Sequence, residues 1–287
     1  MNGMKRRAAT LSMILCAGLA LARPHAATRV IAIGDLHGDL AATRRALRLA
    51  GAIDKDDHWS GGTLTIVQTG DITDRGDDEP EILSLFERLT EEAARVSGRV
   101  IVLNGNHELM NAAGDFRYVT SDGMSDFGGS EGRRRAFAPG SPTARKLATH
   151  SLFAIVGDTV FVHGGVLPAH VRGGLPTLES LDTEARAWLR GDTTQLPHAL
   201  VDDDSPLWTR RYGMNESPAA CAAATAALTR LGLSHMVVGH TVQPQGINSI
   251  CQGRVWRIDV GLSKVYGGPT EVLAIESGKL NVLRAAH

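Results

Sequence analysis

The chain is expected to fold as an α/β domain built on a parallel, helix-covered sheet. Short apolar runs end in or near glycine, helix-period patterns follow them, and the strand-loop-helix unit recurs through the first hundred or so residues. The first unit is the run from Arg29 to Ile33, closed by Gly34, then a helix with Leu40, Leu47 and Ala50 on one face and Thr43 between them. The second is Leu64 to Gln68, the loop GDITDRG, and a helix whose apolar stripe is Ile82, Leu85, Phe86, Leu89 and Ala93. The third begins with Val100 to Leu103 and runs into GNHE.

Over 113–150 the apolar periodicity fades and Gly, Ser, Asp and Arg dominate, which predicts an excursion over the site with Arg133, Arg134 and Arg135 on a solvated loop face. The sheet resumes at Ser151 to Val156 and Thr159 to Val162, and Gly157 and Asp158 between them suit a two-residue hairpin, so antiparallel pairing enters here. A second polar, partly helical excursion covers 167–218. An alanine-rich helix follows from Ala219 to Leu231, and Met236 to Val238 leads into GHT. The rest reads as strands at Gly246 to Cys251, Arg254 to Asp259, Glu271 to Glu276 and Leu280 to Leu283. No repeat or linker divides 27–287, which is expected to be a single domain.

A length of 287 residues is enough for one large domain, and a hydrophobic fraction of 43% with 21% charged residues argues against disorder. Lys plus Arg at 30 against Asp plus Glu at 31 leaves a net charge of -1, so no global field favours nucleic acid or an acidic membrane, and any phosphate selectivity is local. Residues 1–26 read as a signal peptide: Lys5, Arg6 and Arg7 precede an uncharged apolar run from Ala8 to Ala22, with cleavage after Ala22 or Ala26. The expectation is export to the periplasm or medium with no stable membrane insertion, an uncleaved N-terminal anchor being the alternative. Leu15 before Cys16 argues against a lipoprotein anchor. Cys221 and Cys251 then remain, and an oxidising compartment lets them pair; two isolated thiols are the other reading.

Five segments place acid, amide or imidazole groups directly after apolar runs, where an α/β sheet presents the carboxyl ends of its strands: GDLHGD from Gly34, GDITDRG from Gly70, GNHE from Gly105, VHGG from Val162 and GHT from Gly239. Asp35 and His37 lie two residues apart and leave an extended loop on the same side, as one ligand pair. Asp71 can bridge two cations, and Asn106, His163 and His240 complete a second set. Oxygen and imidazole donors without thiolate suit Mn, Fe or Zn, and the histidines disfavour calcium. Two such cations clamp a phosphoryl oxygen and turn a shared water into hydroxide. His107 follows Asn106 directly and points elsewhere, free to act as general acid, with Asp74 holding its other ring nitrogen. Arg75 offers a bidentate fork to phosphate; Arg210, in SPLWTRRYG, is the candidate second clamp, with Arg211 its rival.

In this order the five motifs resemble the calcineurin-like metallophosphoesterase superfamily, and GDLHGD, GDITDRG and GNHE together resemble its phosphoprotein phosphatase branch. The resemblance implies a two-sheet β-sandwich flanked by helices in four layers. It implies Asp35, His37 and Asp71 at a first metal and Asp71, Asn106, His163 and His240 at a second, manganese above the others. It also implies His107 as proton donor, Asp74 as its orienter and Arg75 on the phosphate, with Asn106 reaching substrate as well. RIDVGLSKVYGG, Arg257 to Gly268, replaces the SAPNYC-like loop of the eukaryotic serine/threonine enzymes, so their regulatory contacts do not carry over. GNHELMN, SPLWTRR and the stretch from Asp259 to Lys264 are most similar to the bacterial Shewanella-like protein phosphatases, which brings phosphotyrosine into view. The expected substrate is a phosphoprotein or small phosphoester. The alternatives are a dinucleoside polyphosphate or other phosphodiester hydrolase and an inactive phosphate-recognition module.

Overall fold

A computed structural model describes residues 29–285; the segment read as a signal peptide lies outside them. The strands are β1 (Val30–Ile33), β2 (Thr65–Gln68), β3 (Arg99–Val102), β4 (Phe153–Val156), β5 (Thr159–Val162), β6 (His235–Val238), β7 (Asn248–Ile250), β8 (Val255–Arg257), β9 (Glu271–Glu276) and β10 (Lys279–Arg284). The helices are α1 (Leu40–Leu49), α2 (Glu79–Ala94), α3 (Asn106–Ala112), α4 (Ser121–Ser125), α5 (Gly129–Phe137), α6 (Pro142–Leu147), α7 (Leu175–Arg190) and α8 (Pro218–Leu231).

The strands form two five-stranded mixed sheets, ordered β10-β9-β1-β2-β3 and β4-β5-β6-β8-β7. In the first, β1, β2 and β3 run parallel and the β9-β10 hairpin adds antiparallel strands. In the second, β5, β6 and β8 run parallel and β4 and β7 are antiparallel at the edges. The β4-β5 hairpin pairs Val156 with Thr159 around Gly157 and Asp158, as the turn residues predict.

Alternation along the second sheet fixes the layers. Phe161 and Val237 face the main core with Ile31 and Ile66 of the first sheet, whereas Val160, Val162, Met236 and Val238 face a second core with Ala220, Ala224, Ala227 and Leu228 of α8. Sheet thus packs on sheet, with α1 and α2 outside one and α8 outside the other, which is the four-layer sandwich. Strands buried on both faces explain why β1, β2 and β5 are entirely buried and read as largely apolar runs without alternation. α8 starts at the Ser217 cap with Pro218 following and stops at Gly232 with φ +68.

The segment 113–150 departs from expectation, because it carries α4, α5 and α6 rather than irregular loop. Phe137, Ala144 and Leu147 are buried, so a few long-range contacts hold helices too short for periodicity to reveal. Arg134 and Arg135 are exposed as expected, but Arg133 is completely buried, which overturns the solvated reading of that residue. Cys221 and Cys251 form a disulfide, Cα–Cα 5.1 Å, tying α8 to the turn after β7. Among the described residues no helix is long and apolar enough to cross a membrane.

Candidate metal centre

The parallel strands of both sheets point their carboxyl ends at one place. Asp35 follows β1, Asp71 follows β2, Asn106 and His107 follow β3 at the start of α3, His163 follows β5 and His240 follows β6. All six are buried, and His37 with them. GNHE is therefore a helix start rather than an open loop, which turns Asn106 and His107 in different directions from one backbone.

The local backbone is held in a costly shape. His37, Asp71, Asp74, Arg75 and His240 all have φ between +45 and +69, the left-handed region, at about 1–3 kcal/mol each for residues with a side chain. Glu108 restrains the GDITDRG turn: its carboxylate accepts from the N–H groups of Asp71, Ile72, Thr73 and Gly105 and from the Thr73 hydroxyl. At Gly105 a Cβ would stand 2.1 Å from Asp71 Oδ1, so the glycine makes room for a carboxylate of the neighbouring loop.

The histidines sort by what holds their outer nitrogen. His37 Nδ1 faces the Thr73 carbonyl at 3.2 Å, His163 Nδ1 the Thr69 carbonyl at 2.9 Å and His240 Nε2 the Trp208 carbonyl at 3.0 Å. Each carbonyl takes an N–H and turns the other nitrogen toward the centre, the arrangement usual for a ligating imidazole. His107 differs: its Nδ1 meets a carboxylate, Asp74 Oδ2 at 2.5 Å, and its Nε2 lies 3.7 Å from Asp71 Oδ2.

Donor atoms gather in two sets, His37 with Asp71 and His107, and Asp71 with His163 and His240, so Asp71 belongs to both. Asp35 lies between them, Oδ2 4.0 Å from His37 Nε2 and Oδ1 4.0 Å from His163 Nδ1. Asn106 Oδ1 is 2.9 Å from His163 Nε2.

A divalent cation fits this donor set. Asp71 Oδ2, Asn106 Oδ1 and His163 Nε2 converge within hydrogen-bonding distance, and acceptors so close in a buried site need positive charge among them. Burial alone would lower His163, but the Asp71 and Asp35 carboxylates outweigh it and carry its pKa to about 10. Burial also opposes the charge on Asp71, yet His163, His107 and His37 hold that carboxyl well below its usual range. Burial and then Asp259 push Asp35 up. Burial takes His37 down to about 3 and, with His163 beside it, His240 to about 2, so both present neutral nitrogens. Burial lowers His107 less than Asp71 and Asp74 raise it, and its pKa ends above the ordinary value.

Arg75 stands at the mouth, Nη1 2.7 Å from His37 Nε2, its guanidinium 4.9 Å from the Tyr118 ring and 5.5 Å from the Tyr266 ring. Arg210 donates to the His240 carbonyl at 3.0 Å and to Thr241 Oγ1 at 3.1 Å, so it borders the centre through the His240 loop. Arg210 and its rival Arg211 are both exposed, and what separates them is Arg210's contact with the His240 loop; Arg211 places its backbone N–H on Thr209 Oγ1. Sequence reasoning missed Glu108, Asp259, Tyr118 and Tyr266. Asp259 was findable: it follows the parallel strand β8 as the ligands follow theirs, is buried, and burial raises its pKa to about 6.

Comparison with known proteins agrees with this geometry. Residues 28–244 match the calcineurin-like phosphoesterase family. Shewanella-like protein phosphatase 2 of Arabidopsis thaliana is 37% identical over 86% of this chain and 75% of its own. Shewanella-like protein phosphatase 1 of Plasmodium berghei is 28% identical over 89% and 74%. The crystal structure of the cold-active protein-tyrosine phosphatase of a psychrophilic Shewanella superposes with a TM-score of 0.76 at 25% identity, covering 90% of this chain and 81% of that one. With two five-stranded sheets, a buried histidine and aspartate cluster at their strand ends, and these relatives, the chain belongs to the calcineurin-like phosphoesterase family and is a metal-dependent phosphatase.

Proposed function

We propose that the chain dephosphorylates phosphoproteins, phosphotyrosine above phosphoserine, with two divalent cations, manganese first, at a centre shared through Asp71. The observation that carries this reading is the placement of Asp71 in both donor sets, with the His107–Asp74 pair and Arg75 beside the set that holds His37. Asp35, His37 and Asp71 would hold one cation, and Asp71, Asn106, His163 and His240 the other. The chemistry such cations supply is Lewis acidity toward a phosphoryl oxygen and an acidified water. Arg75 grips the phosphate bidentately, and His107 protonates the leaving oxygen from Nε2 while Asp74 holds Nδ1–H. Arg210 assists at the rim. The relative named a protein-tyrosine phosphatase supports phosphotyrosine, as do the Tyr118 and Tyr266 rings against Arg75, flat surfaces for an aromatic substrate side chain.

We also propose export directed by 1–26, a reading supported by the Cys221–Cys251 disulfide.

The test is hydrolysis by chelator-stripped protein of a phosphotyrosine peptide, a phosphoserine peptide and diadenosine tetraphosphate, with Mn, Zn and Mg restored singly. The expected result is metal-restored turnover, fastest on phosphotyrosine with Mn. Turnover of the dinucleotide alone would move the chain to the phosphodiester alternative, and no turnover with metal bound would leave a recognition module.

A further inference from the structure

We propose that Arg133 is a positioning residue for the proton donor, acting through Asp74. This inference rests on the reading of His107 as general acid. Arg133 lies on α5, far in sequence from every motif of the centre, and is fully buried. Its Nη2 donates to Glu79 at 2.7 and 3.0 Å and reaches Asp74 Oδ1 at 3.4 Å; Nε donates to Asn111 Oδ1 at 2.8 Å and Nη1 to the Gly123 carbonyl at 2.9 Å.

These partners close around Asp74. Asn111 Nδ2 donates to Asp74 Oδ1 at 2.8 Å and to the His107 carbonyl at 2.9 Å, and Glu79 Oε1 accepts from the Asp74 N–H at 2.6 Å. Asp74 Oδ1 is thereby occupied, its backbone is fixed at φ +69, and Oδ2 is left for His107 Nδ1. Phe137 and Phe127 pack 4.8 and 5.1 Å from the guanidinium carbon, so the fork has little room to turn.

Stability alone does not account for this arrangement. A buried ion pair can usually be exchanged for apolar packing without loss of stability, whereas three donor directions in one plane aim a carboxylate in a way that apolar packing and lysine do not. A donor ring held by a fixed carboxylate keeps Nε2 toward the leaving oxygen; a loosened carboxylate lets the ring swing.

The test uses Arg133→Lys and the double variant Arg133→Met with Glu79→Gln, which strands no glutamate charge if the single change fails to fold. Metal content, KM and kcat are measured on p-nitrophenyl phosphate and on phenyl phosphate, whose poorer leaving group depends more on protonation. His107→Asn serves as reference. The expected result is unchanged metal content, KM within about two-fold and kcat lower by about 10-fold, with the larger loss on phenyl phosphate. Equal losses on both substrates, or none, while His107→Asn loses selectively, would overturn the inference and leave His107 as the acid. Equal losses in His107→Asn itself overturn the proton-donor reading and this inference with it.

Discussion

Asp71→Asn abolishes metal binding at both positions and lowers kcat/KM by about 10³-fold or more, several kcal/mol of transition-state stabilisation. Asp71 is the one residue common to the two donor sets, so replacing its carboxylate by an amide removes charge and a ligand from both. The fold is expected to survive. Asparagine tolerates the φ of +56 found there better than most residues, the Glu108 clamp acts on backbone N–H groups, and an amide oxygen still accepts from His107 N–H in place of Oδ1. Elemental analysis after gel filtration, alongside circular dichroism, checks both halves. A folded variant with its full complement of metal contradicts the bridging role.

His107→Asn gives the opposite pattern, with metal retained and kcat reduced by about 10²–10⁴-fold. Its ring nitrogen lies close enough to His37 and Asp71 for a ligand role to be the rival reading. The Asp74 contact favours the acid: Nδ1 of His37, Nδ1 of His163 and Nε2 of His240 each meet a backbone carbonyl, whereas Nδ1 of His107 meets a carboxylate, a partner that stabilises an imidazolium, and metal content in the variant separates the two roles. Asparagine is too short to deliver a proton to the leaving oxygen from that backbone position. Metal content falling as far as in Asp71→Asn is the result that would assign His107 to the ligands instead.

Much of this centre is legible in the sequence because its chemistry sits at strand ends. An apolar run, then Asp35, Asp71, Asn106, His163 or His240 with a glycine directly beside it, is a local pattern, and parallel sheets gather such ends in space. The hairpin at Gly157 and Asp158 is equally local. The supports are not. Arg133 meets Asn111 across 22 positions and Asp74 across 59, and nothing in a basic triplet distinguishes the buried arginine from its two solvated neighbours. Glu108 is visible within GNHE, but its work on the Asp71 turn is done across 37 positions. Helices α4, α5 and α6 escape periodicity because each is only one to three turns long and takes its stability from tertiary contacts. The pairing of Cys221 with Cys251 follows from α8 crossing the β7-β8 turn, a feature of topology rather than of spacing.

The most direct test of a dinuclear, Asp71-centred phosphatase is to titrate Mn into the stripped protein while following bound metal and phosphotyrosine-peptide turnover in the same samples. Turnover should stay near zero without metal and reach its plateau at two cations per chain. Undiminished turnover in stripped protein, or a plateau at one cation, would contradict the account.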